Sequence, residues 1–162
     1  MNRLVSLGAN CVPAWHIRRL KLGFDYRLPF DTCLLPFDVL IRFLKHDFPR
    51  VWSPTVRVSS YNHEFSFSHR KATDIPEVMQ SWNRRVERFR QLRDNNESLT
   101  FIRSYRTETH GQKQQLELEN SLTVYGFKNF KLRFIPCEPA GVGRWYGTNE
   151  YWNRQLLERA SS

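Results

Sequence analysis

A chain of 162 residues is long enough to bury a real core in one domain, and one domain over residues 1–162 is the expectation. Basic residues outnumber acidic ones by 25 to 16, a net charge of +9, but they are dispersed rather than gathered in one run. No signature of a known nucleic-acid-binding module accompanies them, so charge alone selects no such partner.

The opening segment organises the rest. Leu4-Val5-Ser6-Leu7 is an apolar run that meets Gly8, and Asn10 and Cys11 follow where a helix should begin. Ala14, Ile17 and Leu20 recur at helical spacing through Leu22, Pro13 suits a first turn, and Asn10 is a competent N-cap. The reading is strand, glycine turn, then a cysteine at a helix N-terminus. Gly23 is the expected C′ residue, and Phe24 to Phe30 an extended segment that ends at Pro29-Phe30-Asp31.

From Pro36 the pattern is helical, with Phe37, Leu40, Ile41, Leu44 and Phe48 as its apolar stripe. Thr55 to Ser60 reads as a weak strand or an extended connection. In the run from Tyr61 to Arg70, His63, Phe65, Phe67 and His69 share one parity, which a strand places on one face. A helix should start at Asp74 to Glu77 and bury Val78, Trp82, Val86 and Phe89. Leu99 to Arg103 reads as a buried strand, and Gln112 to Tyr125 as a helix anchored by Leu116, Leu118 and Leu122. Phe130 to Ile135 is a further strand, and Thr148 should cap a last helix through Arg159 that buries Tyr151, Trp152 and Leu156. This alternation predicts an α/β fold, a layered and partly parallel sheet flanked by helices, with Cys11 at the strand–turn–helix junction.

The chemistry starts from that junction. A thiolate is the reactive form of cysteine, and the amides and dipole of a helix N-terminus favour it. The turn around Gly8 and Asn10 is a candidate cradle for a developing oxyanion. The competing reading makes Cys11 a small buried hydrophobe. Cys11, Cys33 and Cys137 follow neither a disulfide framework nor a zinc-binding spacing, so reduced thiols in a cytoplasmic setting are expected, without metal or cofactor. The opening residues lack a secretory leader pattern, and no apolar run reaches the length of a membrane span.

The motifs VSLGANC, HIRRL, LPFD, FSFSH, NRRVERF and TFIR, in that order over residues 4–103, resemble a bacterial family of unknown function described as papain-like cysteine peptidases. The resemblance implies Cys11 as nucleophile and His69 as base. The family commonly has an Asp directly after that His, where this chain has Arg70. It also leaves a papain-like α+β architecture as the alternative fold. A third member that orients the imidazole is sought at Asp31, with Asp74 as second choice, and His63 is the reserve base. Asp31 could equally serve a local turn.

Two functions follow. In the first, a Cys–His pair cleaves an amide or a (thio)ester in a peptide or small-molecule substrate. In the second, a non-catalytic α/β domain holds an anionic sugar or nucleotide group through arginines, with Arg19, Arg85 and Arg103 as the candidates. Arg103 is singled out because it ends a buried strand near a sheet edge, where sites form.

Overall fold

The computed structural model describes residues 2–48, 66–67, 75–105, 111–137 and 147–157. Three parallel strands form the main sheet: β1 (Arg3–Ser6), β4 (Leu99–Tyr105) and β5 (Phe130–Pro136), with β4 in the centre. Register runs Arg3↔Leu99 to Ser6↔Ile102 on one side of β4 and Leu99↔Phe130 to Tyr105↔Pro136 on the other. A separate antiparallel pair joins β2 (Cys33–Leu34) to β3 (Ser66–Phe67), with Cys33 opposite Phe67.

Alternation along the strands sorts the core into two layers. Val5, Leu99 and Phe101 face one side with Phe130 and Leu132, where α2 (Phe37–Lys45), α3 (Ile75–Asp94) and α4 (Gln112–Tyr125) supply Leu40, Phe43, Trp82, Phe89, Leu118 and Leu122. Leu4, Ile102 and Ile135 face the other, covered by Ile17 of α1 (Val12–Arg19) and by Trp152 and Leu156 of α5 (Asn149–Leu157). Helices therefore flank a parallel sheet on both faces, as the strand–helix alternation predicts. β4 is buried along its first six residues because both faces and both edges are covered.

Local signals explain most element ends. Val78, Trp82, Val86 and Phe89 all point inward from α3. Gly126, at φ +115°, closes α4 in the left-handed region. The Thr148 hydroxyl accepts the Tyr151 N–H and caps α5, which buries Trp152 and Leu156 and leaves Tyr151 half-buried.

Four expectations need correction. Helix α1 stops at Arg19, and Lys21 at φ +54° takes the left-handed place assigned to Gly23. Gly23 is needed instead for close packing, since a Cβ there would lie 2.7 Å from Ile17 Cγ2. Phe24 to Phe30 contains no strand; Pro29–Thr32 is a short 3₁₀ turn. The inward face of α2 is Val39, Leu40, Phe43 and Leu44, with Phe37 and Ile41 only half-buried, because the helix is rotated from the expected stripe. Leu116 is 56% exposed, and α4 is held by Leu118, Leu122 and Tyr125.

Candidate active site

β1 continues into α1 on one face of the sheet, whereas β4 continues into α4 on the other. The chain thus leaves these neighbouring strands in opposite directions at their carboxyl ends, the switch point at which open α/β sheets commonly carry their sites. Cys11 sits at this edge. Gly8 and Ala9 are both left-handed, at φ +77° and +72°, and they swing the chain sharply from β1 into α1. A left-handed alanine costs about 1–2 kcal/mol, so the turn is held in place by its surroundings. A strained strand-to-helix turn is an effective way to present a nucleophile at a sheet edge.

Cys11 is the N-cap of α1 and is half-buried. Asn10, expected as the cap, stands one residue earlier, and its Oδ1 accepts the Val12 N–H at 3.0 Å. Its Nδ2 donates to the Cys137 sulfur at 3.6 Å, just beyond the end of β5. The Gly8 N–H is donated to Ser6 Oγ. The Asn10 side chain and the Gly8 amide, the two candidate oxyanion donors, are thus both engaged within the fold.

Behind Cys11 lies a buried polar cluster. Cys33 is fully buried, and its thiol is pushed up to about 12 by burial, then by Asp31; Arg103 and Arg85 work against this, and Cys11 adds a further upward push. Asp31 is raised to about 6 by burial, opposed by the Leu28 N–H and by Arg18, Arg85 and Arg27. Its Oδ2 accepts that Leu28 N–H at 2.9 Å and lies 3.9 Å from Arg18. Together with Ala14, Ile17, Tyr26 and Leu28, Arg18 and Asp31 line a shallow crevice along α1.

The arginines named from the sequence are drawn inward. Arg19 donates through Nε and Nη2 to Nδ1 of the buried His16, which stacks on Trp152 at 5.2 Å. Arg85 donates to Thr32 Oγ1 at 2.8 Å. Arg103, 2% exposed, donates from Nη1 to the Leu7 carbonyl and from Nη2 to the Leu35 carbonyl, each at 2.7 Å. Burial lowers its guanidinium to about 10, so it remains a cation at neutral pH.

The structure thus gathers Cys11, Asn10, Gly8, Asp31, Arg85 and Arg103 around one end of the fold and sets Arg19 on the far side of α1. His69, along with His63, Arg70 and Asp74, lies outside the described residues. Cys33 and Cys137 were not visible as neighbours of this site: the Asn10–Cys137 contact spans 127 positions, and no local pattern marks it. Among the described residues, no three His, Cys, Asp or Glu side chains form a metal-binding group.

Residues 2–70 match the family model described as "Putative papain-like cysteine peptidase (DUF1796)". No curated protein matches the chain. No solved structure matches it either. No helix among the described residues is long and apolar enough to cross a membrane.

Proposed function

We propose that this chain, which matches the papain-like cysteine peptidase family over residues 2–70, is a thiol hydrolase with Cys11 as its nucleophile. The observation that carries the reading is the position of Cys11: an N-cap thiol on a strained turn, at the carboxyl edge where β1 and β4 diverge. A helix N-terminus favours the anionic sulfur and the anionic oxygen that forms when it attacks a carbonyl.

His69 is the base in this reading. β3 pairs its Phe67 with Cys33, and His69 follows Phe67 by two residues in the sequence. The imidazole takes the Cys11 proton, the thiolate adds to the carbonyl, and the same proton goes to the leaving amine or thiol. Water then releases the acyl group as a carboxylate. Asp31 orients the imidazole, and peptides or small acyl compounds are the substrates. The expected setting is the cytoplasm.

A thioester acyl donor tests this by intact-mass measurement. The wild type should gain one acyl group on Cys11, transiently, and His69→Ala should slow that acylation at least tenfold. Acylation that persists in Cys11→Ser, or none in the wild type with amide, ester and thioester donors alike, overturns the reading.

The anionic-ligand alternative draws less support, because Arg19 and Arg103 already bind groups of the chain itself.

A further inference from the structure

We infer that Arg103 is a positioning residue for Cys11, a clasp that fixes the nucleophile's turn against the segment after β2. This deepens the proposed thiol chemistry and rests on it. Leu7 is the last residue before the Gly8–Ala9 turn, and Leu35 is the first after β2. One guanidinium holds both carbonyls at 2.7 Å, one per terminal nitrogen. A planar fork with two separate donors suits this task, and a lysine's point charge does not.

Gly8 supports the same conclusion independently. A Cβ at that position would lie 3.2 Å from Leu35 Cβ, 3.5 Å from Phe30 Cβ and 3.6 Å from Arg103 Nη1. The nucleophile's turn therefore packs closely onto the segment that Arg103 grips, and a side chain in this left-handed position would be strained.

The charge of Arg103 adds a second feature. Both of its hydrogen-bond partners are neutral carbonyls, and its buried Nε has no partner among the described residues. A buried cation normally comes with an anion, because an uncompensated one is costly. The charge of Arg103 bears on the buried thiol of Cys33, which it pulls downward. Arg103 also lies beyond the residues 2–70 that match the family model, so β4 supplies from outside that segment the residue that fastens it.

The test is the pH profile of iodoacetamide alkylation at Cys11, read by peptide mass spectrometry at a temperature where each protein is folded. Arg103→Lys keeps a positive charge and loses the fork; it should slow Cys11 alkylation near neutral pH at least fivefold and shift the profile. Arg103→Gln, which loses both, should slow it further. Leu44→Ala, a core truncation remote from the turn, controls for lost stability and should keep the wild-type profile. If neither Arg103 variant folds, Gly8→Ala, which leaves Arg103 intact and pries the turn from Leu35, should give the same shift. An Arg103→Lys or Gly8→Ala profile that overlays the wild type overturns the clasp, and so does a Leu44→Ala profile that moves as far. A wild-type Cys11 no more reactive than Cys137 overturns the thiol-hydrolase reading instead, so the two failures are separable.

Discussion

The two faces of the sheet are built differently. The α2–α3–α4 face is deep and aromatic: Phe89 meets Phe30, Phe48, Phe101, Tyr125 and Phe127 with ring centroids 5.1–6.1 Å apart. The α1–α5 face has a thin apolar layer of Leu4, Ile17, Ile102, Ile135, Trp152 and Leu156, and it keeps buried polar groups beside that layer, among them His16 and Ser104. Cys11 begins a helix on the thin face, while Arg103, on the parity of Phe101 on the thick one, holds the Leu7 carbonyl before the Cys11 turn. The comparison teaches a division of labour: one face stabilises the sheet, and the other leaves room for polar chemistry at its end.

The largest effect should come from the thick face. Phe89→Ala removes the ring at the centre of the aromatic cluster and should cost about 3–5 kcal/mol in denaturant unfolding. A loss below about 1 kcal/mol would show that the cluster is not the main source of stability.

Next is the Asp31 carboxyl, which lines the crevice along α1. Folding raises Asp31 from 3.8 to about 6, so the native state holds this proton more tightly than the unfolded chain does. Its contribution to stability is greatest below about pH 4 and is lost as pH rises through 6. Asp31→Asn should therefore gain stability relative to wild type across that window, by roughly 1–3 kcal/mol at pH 7. A difference between the two proteins that stays flat from pH 4 to 7 would place the carboxyl in water.

The smallest effect belongs to the thin face. Ile102→Val should cost roughly 0.5–1.5 kcal/mol, since one methylene is lost from a layer only a few side chains deep. A cost comparable to that of Phe89→Ala would erase the contrast between the faces.

Much of this architecture can be read along the chain. The helix at Gln112–Tyr125, the inward set Val78, Trp82, Val86 and Phe89, and the Thr148 cap all follow from periodicity and capping chemistry, which are local. The placement of Cys11 at a strand–turn–helix junction is local too. What could not be read depends on contacts between distant segments. Arg103 reads as the end of a strand near a sheet edge, but it is the fifth residue of the central strand β4, and only the fold brings Thr32 to Arg85 and Leu7 and Leu35 to Arg103. Lys21 replaces Gly23 at the helix end because Gly23 is taken up by contact with Ile17 and Leu4. The outward turn of Leu116 reflects how α4 meets α2 and the sheet, which no leucine spacing specifies.

The most direct measurement compares the three thiols in one folded sample. Under limiting iodoacetamide at neutral pH, half-buried Cys11 at its helix N-terminus should label first, and Cys137, held by Asn10, should follow. Cys33, fully buried with its thiol pushed up to about 12, should label last, on the timescale of unfolding. A Cys11 that labels only with Cys33 as the protein unfolds is a structural residue, and that result would contradict the account at its centre.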